Sequence, residues 1–428
     1  MINFVMIKTV YFGGKMEMNK RNCFIGQSGG PTAAINASLA GVIYEAINCG
    51  EYENVYGMVN GIKGLIEGKF LDLRELFSED RNITKLRQTP AMYLGSCRYK
   101  LPTHEEDPQT YETLFNYFEE HNITDFFYIG GNDSMDTVAK LSAYASIIKS
   151  PIRFVGVPKT IDNDLKGTDH TPGFGSAAKY VATSMLEIAY DSAIYKLNSV
   201  TIVEIMGRNA GWLTAAAALA RNENNDAPDL IYLPEVPFSK EKFLADIKKV
   251  FEKKRSVIIA VSEGIKDANG QYLDADSEFV QKDAFGHVIH SGTGKVLENL
   301  VQQEFRCKVR SIELNVLQRC AMHIGSAVDN DESFAIGREA VKAAMNGKTG
   351  VMMAFVRLND APYSIGFEAK DVSEIANVEQ KIPVEWINDD HNDVTEELYT
   401  YLRPLIQGEI DLQYENGIPA YMNVDHLK

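Results

Sequence analysis

Short apolar runs alternate with helix-length amphipathic stretches along most of this chain, and that alternation narrows its fold more than any other feature. The runs fall at 23–25, 55–59, 125–129, 153–157, 200–206, 230–233, 257–261, 309–314 and 351–356. Most are rich in valine, isoleucine and aromatic residues and lack polar alternation. Parallel strands buried on both faces read in this way. Between the runs lie Ala-rich or amphipathic stretches, among them 33–48, 109–121, 176–195, 212–221 and 240–254. Repeated strand–helix alternation predicts an α/β fold with mainly parallel sheets. At 428 residues the chain has room for two or three domains, each with a substantial core. After about residue 356 the pattern weakens. The acidic stretch 368–405 is mostly helical in character and reads as an extension packed on the body.

Charge and cysteines exclude several functions. The net charge is −16, from 43 basic and 59 acidic residues, which disfavours nucleic acid and anionic membranes as partners. Any locally basic pocket is then informative, because an anionic substrate needs one. Cys23, Cys49, Cys97, Cys307 and Cys320 are scattered and form no CxxC pair. That argues against a disulfide framework or a zinc site and fits the cytoplasm. No apolar run approaches membrane-span length. Residues 1–20 lack the features of a signal peptide and read as an extension outside the fold, with Met16 or Met18 as alternative starts.

In open parallel sheets, ligands bind beyond the carboxyl ends of the strands, and six loops there are unusual. Ile25–Thr32 (IGQSGGPT) puts Gly29 and Gly30 before an Ala-rich helix, where backbone N–H groups favour a phosphate. Gly130–Ser134 (GGNDS) offers two glycines and then oxygen side chains suited to magnesium and phosphate, or to capping a helix. Pro158–Asp164 (PKTIDND) packs one lysine and two aspartates into a loop just past a buried strand. In Met206–Gly211, Arg208 lies between glycines and can grip a phosphate with paired donors. Glu263 follows another strand and could orient sugar hydroxyls. Arg310 and Arg319 flank the run 311–317 and would suit a second phosphate. Most of these loops, taken singly, have an equally good structural reading as a turn, a cap or a surface charge. Six together, all at strand ends, point to a phosphate-handling site.

In order from about residue 22 to about 329, the loops resemble the phosphofructokinase family. PKTIDND is the most specific match, and GGNDS and MGR support it. The resemblance implies two Rossmann-like domains with the active site in the cleft between them. It implies a phosphoryl-donor domain at 21–150, a fructose 6-phosphate domain at 151–315, a return segment at 316–357 and a C-terminal helical extension at 358–428. Asp162 would be the general base, with Lys159 and Asp133 completing the catalytic set. Thr160, Ile161, Asp162, Asp164, Met206, Gly207, Arg208, Glu263, Arg310 and Arg319 would hold fructose 6-phosphate. Gly29, Gly30, Arg98, Gly131 and Lys159 would hold the donor. Mg2+ would be the cofactor, with Asn132, Asp162 and Asp164 as ligands.

Two positions bear on the donor. ATP-dependent members resemble GGDGS and PGTIDND, with glycines where this chain has Asp133 and Lys159. A carboxylate at 133 would repel the α-phosphate of ATP, and a lysine at 159 would supply charge to a leaving phosphate. Both resemble the pyrophosphate-dependent branch, which implies a reversible step serving glycolysis and gluconeogenesis, with pyrophosphate and fructose 6-phosphate as substrates. An ATP-dependent enzyme and a non-catalytic sugar-phosphate sensor are the weaker alternatives. The chain also departs from the family pattern. Asn132 replaces a metal-binding aspartate, Val316 a substrate-touching histidine or tyrosine, and Ser199 an arginine that short bacterial members supply across a subunit interface. A homodimer or homotetramer is expected.

Overall fold

Backbone pairing sorts the apolar runs into two main sheets. The computed structural model describes residues 21–273, 281–282, 288–289 and 292–428. The expected extension at 1–20 lies outside them. In chain order the strands are β1 (Arg21–Gln27), β2 (Tyr52–Met58), β3 (Phe70–Asp72), β4 (Ile123–Gly130), β5 (Arg153–Pro158), β6 (Ser199–Ile205), β7 (Leu230–Tyr232), β8 (Ser256–Ser262), β9 (Gln281–Lys282), β10 (Val288–Ile289), β11 (Lys308–Glu313), β12 (Val351–Asp360), β13 (Tyr363–Asp371), β14 (Tyr414–Glu415) and β15 (Ile418–Pro419). The larger sheet runs β13-β12-β5-β4-β1-β2-β3 and is parallel except at its edge strands β3 and β13. The smaller sheet runs β11-β6-β8-β7 and is parallel throughout. β9 and β10 form a separate antiparallel pair.

Helices cover both faces of each sheet, which is why the strands are apolar on both sides. On β1, Cys23 and Ile25 face one way, into a core shared with helices Ile35–Asn48 and Ala327–Met345. Phe24 faces the other way, toward helices Pro108–Glu120 and Asn132–Ile147. On β6, Val203 and Ile205 pack with helix Phe174–Ala193, while Val200 and Ile202 pack with helices Lys240–Phe251 and Thr293–Glu304. Side chains that start these helices also fit their places. Asp107 accepts from Thr110 N ahead of Pro108, and Ser239 accepts from Lys242 N.

The pairing corrects three expectations. β5 belongs to the larger sheet, paired with β4 from Asp125↔Arg153 to Gly130↔Pro158, so the break between sheets falls after Pro158 rather than at 150/151. Arg153 reinforces this pairing with two hydrogen bonds to the buried Asp125 carboxylate, at 2.6 and 2.7 Å. The segment 358–428 is not mainly helical. It contributes β13 to the larger sheet and then runs through short turns and the antiparallel pair β14–β15, with one α-helix only at Glu396–Leu402. Several of its backbone groups bond to the body, as in Gln380 N to Asp164 O at 2.7 Å and Ile382 N to Glu235 Oε1 at 3.2 Å. The helix expected at 212–221 is α only over Trp212–Ala216 and tightens to a 3-10 turn at Ala217–Ala220.

Candidate active site

Both sheets present their loops at a topological switch. From β1 the larger sheet grows first toward β2 and later, on the other side, toward β4. From β6 the smaller sheet grows toward β8 on one side and β11 on the other. The loops after β1, β4, β5, β6, β8 and β11 therefore open into crevices, where α/β sheets bind ligands.

Lys159 ties three of these loops together. Its backbone N–H donates to Gly130 O at 3.0 Å, and its Nζ reaches Gly30 O at 2.6 Å. A side chain at Gly29, whose φ is +82°, would bring a Cβ within 3.2 Å of that Nζ, so the glycine keeps the ammonium's place open. Thr160 Oγ1 accepts from Asp162 N at 3.1 Å, and Thr160 O accepts from Thr171 Oγ1 at 2.7 Å. Asn163, with φ +56°, turns the chain left-handed between Asp162 and Asp164. Next door, Gly131 is the cap of helix Asn132–Ile147 and offers no side chain to its free N–H groups, which leaves that end open to an anion.

The smaller sheet supplies the opposite wall. Gly207 N donates to Glu263 Oε1 at 3.3 Å, and Gly207 O accepts from Ser262 Oγ at 2.6 Å. Met206 N donates to Gln318 Oε1 at 3.2 Å. An added Cβ at Gly264 would collide with Arg208 O, so the β6 and β8 loops approach backbone to backbone. Arg319 lies near the Gly29–Gly30 loop, with an Nη 3.5 Å from where a Cβ of Gly30 would sit.

The charges crowd one another. Burial lowers the Lys159 ammonium from 10.5 to about 7, against the pull of Asp162. Burial raises the carboxyl of Asp162, opposed by Arg208 and Lys159. Asp164 rises to about 7 through burial and the nearby Asp162 and Glu379 carboxylates. Glu263 rises to about 8, chiefly by burial and then by Asp162. Burial and the charge of Arg98 lower Arg319. Lys159, Asp162, Asp164, Arg208, Glu263 and Arg319 thus form one electrostatic cluster, and Arg98 adjoins it. Perturbed groups gathered in a cleft mark a site that handles charge.

Not every expected residue joins that cluster. The Ile161 side chain is 6% exposed and packs into the core of the smaller sheet. Arg310 pairs in register with Thr201 on β6, while Met206 lies five residues further along, roughly 16 Å up the strand. Its recorded ionic partner is Asp191, at 3.6 Å. Asp133 is exposed in the first turn of helix Asn132–Ile147. Two further residues come from the C-terminal segment. Glu379 adds its charge beside Asp162 and Asp164 and accepts from Asn209 Nδ2 at 2.8 Å. The hydroxyl of Tyr401 accepts from Asn163 Nδ2 at 2.8 Å. Nothing local in the sequence marks either one, since they lie over 200 residues from the loop they touch.

The oxygen-rich loops suit a hard cation. Asn132 Oδ1 is buried and has no hydrogen-bond partner, so an acceptor there is left for a ligand. Arg208 Nε is likewise buried without a partner. Among the described residues no group of three or more His, Cys, Asp or Glu side chains could hold a metal. A cation here would draw on few protein oxygens and on phosphate and water for the rest, as magnesium commonly does. Among the described residues no helix is long and apolar enough to cross a membrane.

Comparison with known proteins agrees with this geometry. The family profile described as phosphofructokinase matches residues 22–344. The chain is 41% identical over 408 residues to a pyrophosphate–fructose 6-phosphate 1-phosphotransferase of Halomonas elongata, covering 94% of this chain and 96% of the relative. It is 39% identical to a protein of the same name from Methylococcus capsulatus, covering 95% of this chain and 96% of the relative. The crystal structure of a pyrophosphate-dependent phosphofructokinase from Nitrosospira multiformis superposes with a TM-score of 0.85 at 37% identity, covering 94% of this chain and 96% of that one.

Proposed function

The chain belongs to the phosphofructokinase family, and from that premise we propose a phosphotransferase that moves phosphate from pyrophosphate to the 1-hydroxyl of fructose 6-phosphate. The products are fructose 1,6-bisphosphate and phosphate, and the step runs in either direction. One observation carries the donor assignment. The Lys159 ammonium reaches across to Gly30 O from the same loop that bears Asp162, three residues further along the chain.

Each residue then has a task. The sugar O1 attacks the terminal phosphorus while Asp162 takes the hydroxyl proton, and the bond to the bridging oxygen breaks. Lys159 neutralises the departing phosphate, together with Arg98 and the free N–H groups at Gly131 and the helix behind it. Gly29 and Gly30 let the donor approach the backbone. Arg208 and Arg319 grip the sugar phosphate, and Glu263, Thr160 and the Met206–Gly207 backbone orient the sugar. Asp133 occupies the space that a longer polyphosphate would need. The family generally needs a divalent metal, and we assign Mg2+ to Asn132, Asp162 and Asp164. When bound it would offset the negative charge of the phosphates. Alignment and charge neutralisation are what phosphoryl transfer mainly requires.

We assign a homodimer or homotetramer, supported by an apolar surface around Tyr190, Ile194 and Leu197, which are 59%, 69% and 65% exposed. A light-scattering mass reads the assembly directly. For the donor, purified protein is assayed with fructose 6-phosphate and either pyrophosphate or ATP. Activity is expected with pyrophosphate, and replacing Asp133 and Lys159 together by glycine should lower it by about a hundredfold or more. Activity with ATP alone would remove the donor assignment.

A further inference from the structure

The turn that carries Asp162 and Asp164 is held by a residue more than 200 positions further along the chain. Asn163, between them, is 2% exposed and adopts φ +56°, a conformation that needs local support in a residue with a side chain. Its Oδ1 accepts from Thr171 Oγ1 at 3.3 Å, and its Nδ2 donates to the Tyr401 hydroxyl at 2.8 Å. That hydroxyl donates in turn to Asp169 O at 2.7 Å. The Tyr401 ring is also fixed in place. It packs against both Trp212 and Trp386, with centroids 5.2 and 5.7 Å away, and the Arg357 guanidinium sits 4.7 Å over its face. Arg357 completes the frame by bonding Tyr401 O at 3.1 Å and the Asp169 carboxylate at 3.0 Å. Burial and the Asp169 charge keep the phenol far above its ordinary value, so it stays protonated and can donate and accept at once.

We propose that Tyr401 is a positioning residue for the catalytic loop: its hydroxyl, anchored on Asp169 O, fixes the Asn163 side chain and thereby the left-handed turn that spaces Asp162 from Asp164. The C-terminal segment is then a working part of the active site. The same segment holds the loop at a second point, through Gln380 N on Asp164 O at 2.7 Å. It reaches the sugar loop as well, since Trp212 Nε1 donates to Gln380 O at 3.0 Å directly after Met206–Gly211. A displacement of the base by an ångström is enough to slow a reaction that depends on alignment.

The inference rests on the phosphoryl-transfer reading above, and the test separates the two. Tyr401→Phe keeps the ring and deletes only the hydroxyl. The measurement is steady-state kinetics with pyrophosphate, fructose 6-phosphate and Mg2+ at fixed pH, which separates kcat from KM. With the full chain, kcat is expected to fall about tenfold to a hundredfold. KM for both substrates should stay within about twofold, because the groups that bind them are untouched. Asn163→Gly removes the same bond from the other side and tolerates the positive φ. The double variant should be no slower than the slower single one. Parental kcat in either single variant would overturn the proposal, as would additive losses or an effect confined to thermal stability. Asp162→Asn is the control for the underlying reading. If that variant turns over normally, the base assignment fails, whatever Tyr401 does.

Discussion

In the proposed reaction, the charge state of Lys159 bears most directly on donor binding. Its folded value, lowered by burial from 10.5 to about 7, leaves it partly neutral near neutrality before pyrophosphate arrives. Capture of the anion needs the charged form, so kcat/KM for pyrophosphate is expected to decline as pH rises through about 7, because that ratio follows the ionisation of the free protein. A profile flat from about pH 6 to about pH 9 would remove Lys159 from that role. The linked effect on stability has a definite sign. Between about 7 and 10.5 the unfolded chain keeps a proton that the folded chain has released, so this lysine makes the fold more stable as pH rises across that window. Asp164 works in the opposite sense. Its carboxyl is raised from 3.8 to about 7, so the folded chain holds the extra proton, and the stability it lends at low pH is lost as pH rises through about 7. Both shifts follow chiefly from burial, which penalises the charged form and outweighs the opposite charges nearby.

At the scale of elements, the larger sheet depends on a close crossing of helices Ile35–Asn48 and Ala327–Met345. Gly41 lies against Phe334 O, and Gly337 against Ser38 O. An added Cβ at either glycine would run into the facing backbone carbonyl, which cannot rotate away as a side chain can. Gly337→Ala should therefore destabilise the fold by about 1–3 kcal/mol or more, measured as a lower urea midpoint with an unchanged slope. An unaltered midpoint would mean that the crossing is looser than this geometry requires. The consequence reaches the site, because helix Ile35–Asn48 begins just after the Gly29–Gly30 loop, with Ile35 N bonded to Thr32 Oγ1 at 2.9 Å. Loop and crossing are two ends of one rigid element.

Over the whole molecule, the C-terminal segment joins the two sheets. It adds β13 to the larger one and packs Leu398, Tyr401, Leu402 and Leu405 into the core of the smaller one. The chain has two tryptophans, Trp212 and Trp386, and they meet edge to face at 6.1 Å across that junction. Their emission therefore reports docking of the segment, and its urea transition is expected to coincide with that of far-UV circular dichroism. An earlier change in emission would show a segment that detaches on its own. The sequence by itself determined the α/β class, most strands, and the local loops of the site, down to Lys159, Asp162 and Arg208. Those features depend on side-chain period, turn chemistry and residues a few positions apart, all written contiguously in the chain. Tertiary structure decided the rest. It placed Arg310 well down the strand from Met206, put Ile161 in the core, moved the break between sheets past β5, and kept most of 368–405 from forming helix. It also brought Glu379 and Tyr401 to a loop over 200 residues away. These outcomes depend on strand order and on which remote carbonyls are free to accept hydrogen bonds, and no local pattern in the chain encodes either.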